Sequence, residues 1–196
     1  IPCSCTIPTK ESGRIPMILD AMRRVKAEIG DKTALYGLIC GPFTLASHLR
    51  GTGIFMDMVK DPQYVKDLVG FCSEVSIKMA DLYIEAGMDV IAIVDPLVSQ
   101  ISPKHIENML SEGFIAVFDF IRSKGVLSNF FVCGNASRQV EVMCKMNPDG
   151  ISVDENVNLV EAKKISDNYN ITIGGNIPLT TTMLLGNQQD NMKNVI

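Results

Sequence analysis

Five short apolar runs constrain this chain most: residues 34–40 (ALYGLIC), 89–94 (DVIAIV), 126–133, Gly150–Val153 and 171–173. Each has strand length, and its hydrophobicity is continuous rather than alternating. Strands covered on both faces need that pattern, and such strands belong to parallel sheets. Turn-forming residues close every run: Gly41-Pro42, Asp95-Pro96, Gly134-Asn135, Asp154-Glu155 and Gly174-Gly175-Asn176.

Between the runs lie segments of helical period. Residues 15–29 carry apolar side chains at 15, 18, 19, 22, 25 and 29, and Gly30 supplies a stop. A long helix starts with Asp61 as cap and Pro62 in the first turn, buries Val65, Leu68, Val69, Cys72, Val75, Met79 and Leu82, and ends at Gly87. Ser102-Pro103 repeats that start signal for a helix running to Ile121 and Gly125. Shorter helices are expected over residues 138–146, from Leu159 to Asn168 behind Asn158, and over 178–185, with a further helical tail.

Strands that alternate with helices form either an open doubly wound sheet or a barrel. The glycine-rich dinucleotide fingerprint, the Walker loop and the nucleophile elbow are all missing, which favours the barrel. A barrel needs eight strands and five are visible. The chain has 196 residues, 46% of them apolar, enough for one core, so residues 1–196 read as a single, partial domain. It starts at Ile1 and stops inside a helical pattern, as a fragment would. No apolar stretch is long enough for a membrane span. The acidic balance, 18 Lys and Arg against 22 Asp and Glu, argues against nucleic acid as a partner. Six cysteines without a signal segment point to free thiols in a reducing, cytoplasmic setting.

In a barrel the chemistry sits where strands finish. Those positions are Cys40, Asp95, Cys133, Asp154 and Asn176. Cys133, before Gly134-Asn135, reads either as a metal ligand or nucleophile or as an inert buried thiol. Asp95 and Asp154 read as substrate-binding or acid groups, or as loop caps. Of the two histidines, His48 lies near the crevice mouth, whereas His105 sits in the first turn of a helix. Cys3 and Cys5 lack zinc spacing, and Cys72 and Cys144 fall in core stripes.

Taken together, Gly41-Pro42-Phe43-Thr44-Leu45 with Leu49-Arg50-Gly51, then Asp95-Pro96, Ile101-Ser102-Pro103-Lys104, Cys133-Gly134-Asn135, Ser152-Val153-Asp154-Glu155 and Gly175-Asn176-Ile177-Pro178 resemble, in order, the uroporphyrinogen decarboxylase superfamily. The Cys-Gly-Asn and Ile-Ser-Pro-Lys segments are more similar to its corrinoid branch, the methylcobamide:coenzyme M methyltransferases. The resemblance implies an α/β fold, a (β/α)8 TIM barrel of which this chain carries strands three to seven. It implies a methyltransferase working with a cobalamin on a partner corrinoid protein and with a small methyl donor or acceptor. Cys133, Asp95 and Asp154 would line the crevice, with His48, Asn135 and Asn176 contacting substrate. The branch holds zinc with a His-x-Cys pair; Cys133 matches its Cys, but Phe131 stands at the His position, so no stable zinc is expected here, and a longer parent would need a substitute ligand such as Asp95. His48 stands where the decarboxylases have a tyrosine. Uroporphyrinogen decarboxylase itself, or a non-catalytic relative, are the alternative readings. Five strands leave two open edges, from which self-association is expected.

Overall fold

The computed structural model describes residues 5–195; Cys3 lies outside them. The apolar runs become β1 (Tyr36–Cys40), β2 (Val90–Val94), β3 (Leu127–Val132), β4 (Gly150–Val153) and β5 (Thr172–Gly174). They lie in the order β1-β2-β3-β4-β5, and every pair is parallel. Sequential order with parallel pairing is what repeated right-handed crossovers through helices produce. Those crossovers are α2 (Pro42–Arg50), α3 (Ile54–Lys60) and α4 (Pro62–Glu85) after β1, and a 3₁₀ turn (Pro96–Gln100), α5 (Pro103–Met109) and α6 (Ser111–Ser123) after β2. Then α7 (Val140–Lys145) follows β3 and α8 (Leu159–Asn168) follows β4; α1 (Ile15–Ile29) precedes the sheet, and α9 (Gln188–Val195) ends the described chain.

Side-chain caps set the helix starts. The Asp61 carboxylate accepts from the Tyr64 N–H, the Ser102 hydroxyl from that of His105, and the Asn158 carbonyl oxygen from those of Val160 and Glu161. Three local readings change. The helix expected over 102–121 breaks at Leu110, where the Ser111 hydroxyl donates to the Ile106 carbonyl and competes with the helical ladder. Residues 54–60 form a helix that carried no recognised start signal. The 178–185 segment is a π-type turn over Leu179–Leu184.

The register divides the sheet into two faces. Ile39, Ile93, Phe130, Ile151 and Ile173 align across it in one row. All but the half-buried Ile173 are buried, and the row packs under the helices. Phe130 meets Phe114 and Phe118 of α6 at ring-centroid distances of 4.9 and 5.6 Å. Each fully buried aromatic of this cluster stabilises the fold by roughly 2–3 kcal/mol. One residue out of phase, Cys40, Val94, Phe131, Ser152 and Gly174 form a row on the opposite face. That face is open: in β1, Tyr36, Leu38 and Cys40 are exposed while Gly37 and Ile39 are buried.

Candidate functional site

The period of two along a strand decides which strand-end side chains meet. Cys133 follows Phe131 by two residues, Asp154 follows Ser152 and Asn176 follows Gly174, so all three continue the open face. They line one hollow of about 640 Å³, walled also by Leu38, Ala92, Phe131, Leu179 and Met183. Asp95 follows the buried Ile93 and continues the other face.

Asp154 is held by its neighbours. One oxygen accepts from the Gly134 N–H at 2.9 Å; the other accepts from the Asn156 N–H at 2.8 Å and from the Asn156 side chain. Burial alone would raise its pKa, but these hydrogen bonds outweigh burial and keep the carboxyl below the usual aspartate value. Burial, and then the Asp154 charge, push the Cys133 thiol above its ordinary value, so it is protonated at neutral pH. The Asn176 amide donates to the carbonyls of Asp154 and Val157 and ties the loop after β5 to the loop after β4.

Asp95 corrects the sequence reading. It is fully buried outside the hollow, and its carboxylate accepts from the N–H groups of Phe43 and Thr44, at 2.9 and 3.1 Å, and from the Thr44 hydroxyl. It therefore serves as the cap that α2 lacks in its own sequence, since Gly41 offers no side chain. Gly41 permits the approach: a Cβ there would lie 2.4 Å from the Asp95 side chain. His48 is exposed in the last turn of α2 and does not line the hollow. Asn135 is exposed in the loop after β3, where its oxygen accepts from the Ser137 N–H and hydroxyl. Cys72 and Cys144 are buried, as expected of core thiols, and Cys5, Cys40 and Cys133 are also free.

Two polar residues of the open face had no role in the sequence reading, Asn129 unremarked and Ser152 quoted only within a motif. Asn129 and Ser152 pair across β3 and β4, with the Asn129 amide donating to the Ser152 hydroxyl at 2.9 Å. An amide in the middle of an apolar strand was the available signal. Glu155, quoted only as part of a motif, lines the hollow and accepts from the Leu179 N–H.

A zinc ion needs three or four protein donors around it. Phe131 offers none, Asp154 is held by Gly134 and Asn156 and Glu155 by the Leu179 N–H, and Asp95 is turned away. Among the described residues no group of three His, Cys, Asp or Glu is placed to share an ion. The donor set around Cys133 does not fit zinc.

A parallel sheet in sequential order, helices packed on one face and polar groups gathered at the strand ends define an α/β domain of the barrel type. The family model for uroporphyrinogen decarboxylase (URO-D) matches residues 4–195, and the chain belongs to that family. It is 30% identical over 181 residues to the methylcobamide:CoM methyltransferase MtbA of Methanosarcina acetivorans, covering 91% of this chain and 52% of the relative. To the methylcobamide:CoM methyltransferase MtaA of Methanosarcina barkeri it is 31% identical over 180 residues, covering 90% and 52%. Among solved structures, a methyltransferase from Methanosarcina mazei superposes with a TM-score of 0.85 at 26% identity, covering 94% of this chain and 55% of that one. The chain thus spans about half the length of the relatives it matches, and the barrel is incomplete in it. No helix among the described residues is long and apolar enough to cross a membrane.

Proposed function

We propose that this chain is part of a corrinoid-dependent methyltransferase, moving a methyl group between a cobalamin on a partner corrinoid protein and a small acceptor or donor. The carrying observation is its likeness, over nine-tenths of its length, to relatives named methylcobamide:CoM methyltransferases. A methylcobamide, when bound, would supply a methyl group that can leave to a nucleophile as a formal cation, the cobalt keeping the bonding electron pair. Leu38, Phe131, Leu179 and Met183 give the hollow an apolar wall on which a methyl group could rest. Cys133 stands in this wall with its thiol pKa raised by burial and by Asp154. Asp154 fixes the Cys133-Gly134 turn through the Gly134 N–H, and Asn176 holds the adjoining loop. Asp95 acts from outside the hollow, as a positioning residue for α2 and its exposed His48. Asp154 and Glu155 are the ionisable carboxylates of the described lining.

The test is methylcobalamin mixed with the protein and a panel of thiol, folate, methoxy and methylamine compounds, followed by absorbance. A protein-dependent loss of the methylcobalamin spectrum with one of them is the expected result. No change with any, together with loss of carboxylates from uroporphyrinogen, makes the protein a decarboxylase; inertness in both assays makes it a non-catalytic relative.

A further inference from the structure

Two rows of the open face hold unusually small side chains. Phe131, Ser152 and Gly174 align in one row, and Ala92, Asn129 and Gly150 in the row below. Barrel interiors are ordinarily filled by bulky branched residues. Here glycines flank two polar side chains: a Cβ on Gly150 would lie 3.5 Å from Asn129 Oδ1, and one on Gly174 3.4 Å from Ser152 Oγ. A side chain at either position would cover the pair, and glycine leaves it bare. Tyr36, Asn129 and Ser152 line both the hollow and a second cavity, of about 350 Å³, nearer the strand starts. The pair therefore stands where the two spaces meet.

The Asn129 and Ser152 side chains bond only to each other among the described residues. An amide carries two N–H donors and a carbonyl oxygen with two lone pairs, and a hydroxyl carries one O–H and two lone pairs. The 2.9 Å bond from Asn129 Nδ2 to Ser152 Oγ spends one N–H. The Ser152 hydroxyl lies 3.3 Å from Asn129 Oδ1, long for an O–H donor. A second amide N–H, the O–H and carbonyl lone pairs are left over, on two half-buried side chains that line the hollow. That set donates and accepts at neighbouring atoms. It matches a neutral head that does the same, a hydroxyl or a carboxamide. A carboxylate or sulfonate brings acceptors alone, and would enter past Asp154 and Glu155 of the lining.

We infer that the Asn129–Ser152 pair anchors the uncharged hydroxyl or carboxamide head of the small molecule that exchanges the methyl group, with that molecule's reacting end at the rim. Asp154 lies two residues beyond Ser152, and two strand residues rise about 7 Å, so a chain of a few atoms joins head and reacting end. This rests on the methyltransferase reading above and adds to it the class of the small substrate.

Amide-resolved NMR of this chain tests it with mercaptopropanol, a thiol and a hydroxyl at opposite ends. The controls are butanethiol, which has a methyl in place of the hydroxyl, and mercaptopropionate, which has a carboxylate there. Mercaptopropanol is expected to shift the Asn129 side-chain amide and the Gly150 signal saturably. Gly174→Val covers the pair without removing it, and Asn129→Leu removes half of it; thermal unfolding checks that both fold. Each should lower the affinity for mercaptopropanol relative to butanethiol at least about fivefold, as loss of one or two hydrogen bonds allows. No saturable shift at these signals, a ratio left unmoved by either variant, or mercaptopropionate binding as tightly as mercaptopropanol overturns the anchor. Binding as expected, without methyl transfer between methylcobalamin and any compound of the panel above, keeps the anchor and sinks the methyltransferase. Methyl transfer to mercaptopropanol with a KM untouched by both variants does the reverse.

Discussion

Asp95 and Asp154 close adjacent regions of one rim, yet their surroundings push them in opposite directions. Asp95 is fully buried, and burial lifts its pKa to about 6 against the pull of the Thr44 and Phe43 donors. Asp154 is only partly buried; there the hydrogen bonds from Asn156 and Gly134 prevail over burial and its pKa is lowered. A pKa above the unfolded value of about 4 means that the folded chain binds the proton more tightly. The Asp95 contribution to stability is therefore largest below pH 4 and falls as pH rises through 6. For Asp154 the contribution is present above about pH 4 and is lost as pH falls through its depressed value. Carboxyl-carbon NMR should find the Asp95 midpoint near 6 and the Asp154 midpoint below 3.8; the reverse order would refute this account of the rim. Asp95→Asn places an amide N–H₂ among three donors and should cost about 2 kcal/mol at neutral pH in urea unfolding. It should also raise α2 hydrogen exchange first, because that helix loses its cap. A loss under about 0.5 kcal/mol would mean that solvent, not Asp95, satisfies the Phe43 and Thr44 amides.

At the level of elements, Phe130 and Phe131 are neighbours in β3 with opposite duties. Phe130 is buried against Phe114 and Phe118, whereas Phe131 is half-buried on the hollow side. Phe130→Ala should cost about 3–5 kcal/mol in denaturant unfolding and Phe131→Ala under about 1.5. Equal losses would contradict the assignment of faces. The same pair shows what was legible beforehand. Strand positions followed from apolar runs and their turn residues, and the helix starts followed from Asp61, Ser102 and Asn158, because those signals are local. The face of each strand was not legible, since a run such as Val90–Val94 is apolar at every position and carries no phase. Cys133, Asp154 and Asn176 share the hollow because each lies two residues beyond an open-face position, Phe131, Ser152 and Gly174, while Asp95 lies two beyond the buried Ile93 and points the other way. The break at Leu110 was hidden for a similar reason: the apolar stripe runs through it, and the bond from the Ser111 hydroxyl to the Ile106 carbonyl marks where it divides.

For the molecule as a whole, the unsatisfied parts lie at the ends of the sheet. Among the described residues β1 pairs only with β2, and β5 only with β4. Each therefore presents a row of N–H and C=O groups without strand partners, which is the feature that drives edge-to-edge association. Apolar side chains reinforce it at β1, where Tyr36 and Leu38 are 54% and 59% exposed. Unpaired backbone at both ends of a sheet permits open-ended stacking as well as closed dimers, because the two ends are different surfaces. The 196-residue chain should accordingly scatter light as a concentration-dependent mixture of oligomers. Leu38→Lys places a charge on the first edge strand and Thr172→Lys on the last; each alone should stop growth at small species, and the pair should give monomer. If association runs instead through the helical surface, neither change alters the size distribution. A monodisperse, cooperatively folded monomer in the unaltered chain would mean that the edges are covered in solution and that this reading of the sheet ends is wrong.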